Sequence, residues 1–251
     1  MELNVTRHPY SFIGDSRGSS GGGLAGADAK LSQTWHDALL TYMGNDPHAR
    51  DMAEAGMRAQ ARSAGIELDY HVLAQWQPVD SQRLLLWAGR SGLQEEFMSA
   101  LNKRHFERRQ SASERATLLA AAEEVGLDRA AADAFLDTDE LADVVWDSYG
   151  KTIRQKKIHS IPLFALSVPS IDAVGGPFRP PGKDEAYVVR GSMDKGYFLE
   201  LLELIKRDVD SGKRTYDHRA QKFRQDEWWK PQLRGQARKE GVCTEDQVCS
   251  R

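Results

Sequence analysis

The texture of the chain changes at Ile158, and that change limits the fold more than any other feature of the sequence. From about Asp80 to Tyr149, apolar residues recur at three- and four-residue intervals, the spacing that lines one face of an α-helix. Beyond it, Ile161-Pro162-Leu163-Phe164-Ala165-Leu166 is a compact apolar run of the kind found in a strand buried on both faces. Pro177, Pro180, Pro181 and Gly182 make the next stretch rich in turns, and Ala186-Tyr187-Val188-Val189 supplies a second strand. Tyr197, Phe198, Leu201, Leu202 and Ile205 then return to helical spacing, so a helix can lie on the two strands. A helical block followed by strand, turn, strand and helix predicts an α/β fold with a mainly helical subdomain.

The block before Asp80 is less regular. Glu2 to Tyr10 alternates loosely and is read as a short strand, followed by a Gly- and Ser-rich connector from Gly14 to Gly26. Trp35, Leu39, Leu40 and Met43 predict one helix, and roughly Ala49 to Ala64 predicts another, closed by Gly65. Ile66 to Tyr70 alternates like a strand. Five helices are then expected: from Asp80 or Ser81 to Ala88, along Leu93, Phe97, Leu101 and Phe106, from Ser113 to Gly126, after Asp128, and after Thr138. The ordered domain is expected to span residues 1–207, with the helical insertion at about 31–157 and a polar tail over 208–251.

The 251 residues carry a formal net charge of -3, so no global basic field exists to hold nucleic acid or an anionic membrane. The run Lys151 to Lys157 and the pair Trp228-Trp229 are read as a solvated helix face and a sticky tail rather than as an RNA platform. No apolar run is long enough to span a bilayer, and Met1 to Tyr10 has no basic flank or apolar core of a leader, which predicts a cytoplasmic protein. The seven histidines show no ligand spacing, so neither a metal nor another cofactor is expected. Cys243 and Cys249, separated by five residues in the tail, are the two cysteines of the chain. A disulfide framework is therefore excluded and stability must come from packing. The pair reads either as ordinary terminal thiols or as an accessory redox pair; Glu245 and Asp246 beside them would raise a thiol pKa.

Several segments, in order, resemble the DsbA family of thioredoxin-like proteins, in particular its FrnE-like branch. Gln82-Arg83-Leu84-Leu85-Leu86-Trp87-Ala88 is similar to the family's A-H-R-L-x-x-W-A helix, with Gln82 where histidine is usual. The segment ending Gly126-Leu127-Asp128 is similar to its A-x-x-x-G-L-D stretch, and Ser160-Ile161-Pro162-Leu163-Phe164 to its G-V-P-x-F motif. Val189-Arg190-Gly191-Ser192 resembles its I-x-G-A segment, and His8-Pro9-Tyr10-Ser11-Phe12 its W-x-P-F stretch on the second strand.

The resemblance implies a thioredoxin-like fold whose first strand and first helix, the ones that carry C-x-x-C, are expected to be absent, because Met1 falls almost on the second strand. It implies thiol-disulfide oxidoreduction on protein or peptide thiols as the family activity, impaired in this chain. It also implies a cis bond before Pro162 that exposes backbone for a substrate strand, making Ser160, Ile161 and Pro162 the peptide-binding candidates. The other reading of Pro162 is an ordinary proline opening a strand. His159, two residues before that bond, could stand near a reacting thiol or be a loop histidine. No residue outside the tail offers a thiolate, so the catalytic residues stay unassigned. Two other functions remain open: a non-catalytic peptide-binding module, and a relative of the glutathione-dependent kappa transferases and hydroxychromene-carboxylate isomerases, with glutathione as the thiol partner.

Overall fold

In a computed structural model of the chain, the structure describes residues 3–11, 32–75, 77–154, 158, 161–168 and 187–212. They fall into two compact units, Glu2–Gln155 and Lys156–Arg251.

The first unit is helical because its sequence stops and starts helices efficiently. Strand β1 (Ser32–Thr34) pairs antiparallel with β2 (Leu73–Gln75), and Thr34 caps helix α1 (Trp35–Tyr42), its hydroxyl accepting from the Asp37 N–H at 3.0 Å. Asp46 accepts from the N–H groups of His48 and Ala49 ahead of α2 (Pro47–Ser63), whose first residue is a proline with no donor to lose. Gly65, at φ 77°, closes α2 in the left-handed conformation that admits a bond from Ile66 N–H back to Ala61. That bond explains why Ile66 to Tyr70 is not the expected strand. Its backbone is committed elsewhere: Asp69 N–H donates to Phe106 and the Tyr70 carbonyl accepts from His36 N–H, so the ladder forms later, at Leu73–Gln75.

Helices α3 (Val79–Gly89), α4 (Gln94–Arg108), α5 (Arg115–Glu124), α6 (Arg129–Leu136) and α7 (Ala142–Arg154) follow. Asp128 caps α6 as expected. Asp80 and Ser81 do not cap α3: Pro78 stands at its N-cap, Ser81 donates to the Pro78 carbonyl, and Asp80 binds Arg83. Thr138 likewise serves the turn after α6, donating to Phe135 O and accepting from Glu140 N–H, while α7 begins after Leu141 at φ 65°. Leu84, Leu85 and Ala88 of α3, Phe97 and Leu101 of α4, Leu118 and Ala122 of α5 and Phe135 of α6 form one buried core. The helical spacing in the sequence produces this core directly.

Residues 3–11 belong to this unit and form no strand. Their backbone is bound by helix side chains instead. Gln94 takes the Arg7 N–H at 2.7 Å and returns a bond to the Arg7 carbonyl, and Ser148 donates to the Pro9 carbonyl at 2.8 Å. Pro9 has no N–H to give and its carbonyl is held by a serine hydroxyl, so among the described residues the segment joins no ladder.

The second unit holds strand β3 (Leu163–Leu166), strand β4 (Tyr187–Arg190) and helix α8 (Lys195–Ser211). β3 and β4 pair antiparallel with Phe164 opposite Val189 and Leu166 opposite Tyr187. Those residues share one face, and Tyr187 and Val189 pack there with Tyr197, Leu201 and Ile205 of α8. Asp194 caps α8, which runs to Ser211, four residues beyond the end anticipated near Arg207, and Gly212 closes it in the left-handed region. The extension has a packing reason: Asp208 is fully buried and accepts a 2.8 Å bond from the Tyr187 hydroxyl.

Candidate functional site

The site the sequence singles out lies at the start of β3. Ser160, like His159, lies outside the described residues, as do Cys243 and Cys249. Ile161 and Pro162 are described, and the peptide between them is cis. Leu163 opens the strand two residues later than the apolar run implied, and the strand is not buried on both faces: none of its four residues is fully buried and Phe164 is 40% exposed, as is Ile161 just before it at 47%.

Three local features hold this turn. The Pro162 carbonyl accepts from the Gly191 N–H at 2.9 Å, locking the end of β4 onto the start of β3. Gly191 reaches that position at φ 85°, a conformation that side-chain-bearing residues rarely adopt, so glycine is required where the family pattern also has it. Phe164 stands edge-on to Phe198 of α8, with ring centroids 5.1 Å apart, which ties the strand to the first turn of the helix. Among the described residues nothing hydrogen-bonds the Ile161 backbone. The arrangement therefore offers an exposed peptide unit beside apolar side chains on a pair of antiparallel strands, which can bind an extended chain. Among its described residues, Ile161 to Phe164 and Gly191, it offers no nucleophile, acid or base.

The buried pair Tyr187 and Asp208 beneath β4 was missed by sequence reasoning, because Asp208 opens a polar stretch and local composition gives no sign of its burial. Elsewhere in the described residues no group of three or more His, Cys, Asp or Glu side chains is arranged to hold a metal ion. Among them, no helix is long and apolar enough to cross a membrane.

A strand entered through a cis-proline, an antiparallel neighbour and a closing helix packed on their shared face form the C-terminal half of a thioredoxin-like fold. Residues 3–165 match the DSBA-like thioredoxin domain, and the chain belongs to that family. Among solved structures it is similar to a probable DsbA oxidoreductase from Streptomyces coelicolor, with a TM-score of 0.57, 22% identity, and coverage of 75% of this chain and 72% of that one. No curated protein matches the chain.

Proposed function

We propose that this chain is a FrnE-like member of the thiol-disulfide oxidoreductase family that binds extended segments of thiol-bearing proteins along Ser160, Ile161 and Pro162. The observation that carries the reading is the exposed Ile161 peptide unit, fixed by the Pro162–Gly191 bond and unpaired among the described residues. An incoming strand would pair with that backbone while its apolar side chains meet Ile161 and Phe164.

Binding of a cysteine-containing peptide, followed by calorimetry, tests this. Ile161→Pro removes one N–H donor and should weaken binding about tenfold. Ile161→Ala keeps the donor and should cost about threefold or less, for lost apolar contact alone. Equal losses in the two variants would mean that the side chain, not the backbone, does the binding.

Turnover is a separate matter, because C-x-x-C does not occur in these 251 residues. The second reading is a binding module without catalysis of its own, which the same exposed Ile161 peptide unit would serve; a glutathione-using site is the third. A cytosolic, reducing setting would keep Cys243 and Cys249 as thiols. Insulin reduction by the chain is expected to stay at the uncatalysed rate. Reduction that disappears in the Cys243→Ser/Cys249→Ser double variant would make that pair the redox centre and refute the binding-module reading.

A further inference from the structure

Helix α2 buries little for its length. Of its 17 residues, Glu54 and Ala61 are the buried ones. The opposite side steps through Met52, Ala55, Gly56, Ala59 and Ser63, all exposed, with Met52 at 45%. No charged residue stands on this side, whereas the water-facing positions of α4 include Glu96, Lys103 and Glu107. A helix face bathed in water ordinarily carries charge. At Gly56 an added Cβ would meet nothing within 4 Å, so a second backbone can come close there.

The charges of α2 that border this face lie on one flank, with opposite signs at opposite ends. Asp51 is near the N-terminus and Arg62 near the C-terminus, their side chains 63% and 59% exposed. Their present partners, Arg50 and Glu67, make surface ion pairs of the kind that contribute little and exchange readily.

We propose that this face of α2 is a self-association surface and that its occupant is α2 of a second copy of this chain, lying antiparallel. Reversing the direction of one helix brings Asp51 of each copy opposite Arg62 of the other, and two-fold symmetry makes the contact twice. The same register sets Met52 over Ala59 and Ser63 of the second copy, a long side chain into the space left by short ones, while the two Gly56 residues lie near the crossing. In a parallel two-fold pair the like flanks lie on opposite sides of the seam, so Asp51 and Arg62 would face no partner across it; the antiparallel arrangement alone brings the two charges together.

Sedimentation equilibrium of the full chain tests the proposal, and it predicts a reversible dimer at micromolar concentrations. Ala59→Arg puts a guanidinium into the apolar contact and should weaken the dimer about a hundredfold. Asp51→Arg alone should weaken it about tenfold, through two like-charge contacts. The Asp51→Arg/Arg62→Asp double variant should return to within about twofold of the parent, because the pairs are restored with their signs exchanged. Both charge positions are exposed, so the helix itself tolerates these changes, and circular dichroism melting confirms that it does. A chain that stays monomeric, a dimer indifferent to Ala59→Arg, or a double variant as weak as Asp51→Arg would overturn the proposal.

Discussion

Replacing Arg83 with alanine is expected to lower the unfolding free energy by about 4 kcal/mol, a loss read directly from urea denaturation. Arg83 is 3% exposed, and its guanidinium works as a cap supplied from another helix. Its Nε donates to the Glu140 carbonyl at 2.8 Å, its Nη2 to the Phe135 carbonyl at 3.3 Å and to the Thr138 carbonyl, and its Nη1 binds Asp80 at 2.8 Å. Those carbonyls lie at the end of α6 and in the turn toward α7, where a helix has acceptors and no internal donors left. The same group lies over the Phe135 ring, 4.9 Å from its centroid. Alanine strands the Glu140 and Thr138 carbonyls, leaves the Phe135 carbonyl to Thr138 alone, and opens a cavity beside α3. Arg83→Lys should recover about half the loss, since an ammonium keeps the charge but cannot span the fork of acceptors. A loss below about 1 kcal/mol for Arg83→Ala would mean that water replaces the guanidinium at little cost.

Acidification supplies the second large effect, through His105. The side chain is buried, and burial pulls its pKa down from 6.5 to about 4. The Trp35 indole N–H points at its Nε2 from 2.9 Å and the Ala112 N–H at its Nδ1 from 3.1 Å. A neutral imidazole has one lone pair for these two donors and an imidazolium has none, so protonation forfeits whichever bond the neutral ring keeps. Because the folded pKa lies below the unfolded one, the unfolded chain binds more protons between them. Stability is therefore complete above about pH 6.5 and falls as the pH drops toward about 4, by about 3 kcal/mol in all. Below pH 4 this contribution is spent. Denaturation at pH 7 and pH 4.5 should show His105→Phe losing less stability than the parent across that interval, by about 2 kcal/mol, the remainder being lost below pH 4.5. Carboxylates titrate alike in both proteins and cancel in the comparison.

Periodicity and punctuation made most of the helical unit legible. The stripe through Phe97 and Leu101 became the α4 face in the core, Asp128 became a cap, and Gly65 and Gly126 became left-handed helix ends, because each of these depends on a few neighbouring residues. What stayed hidden depends on partners distant in sequence. Arg83 reads as one more charge on an amphipathic helix, and only the fold brings residues 135–140 to it. The segment 3–11 alternates like a strand but finds Gln94 and Ser148 where a strand neighbour was expected. Asp208 looked like the first residue of a polar tail, and the Tyr187 hydroxyl is what keeps it inside. At the candidate site, the Ile161–Pro162 step and the glycine at 191 were legible as motif residues, whereas the bond between Pro162 and Gly191 and the contact of Phe164 with Phe198 required the hairpin and α8.

The proposed function requires that the strand pair beginning at Ile161 be a cradle for extended peptide backbone. Amide chemical shifts of the full chain, recorded during titration with a cysteine-containing extended peptide, test it most directly. The account predicts that the largest changes fall on Ile161 and along Leu163–Leu166, with Tyr187–Arg190 following through the ladder. Saturable binding that leaves those amides unmoved while others shift would contradict it.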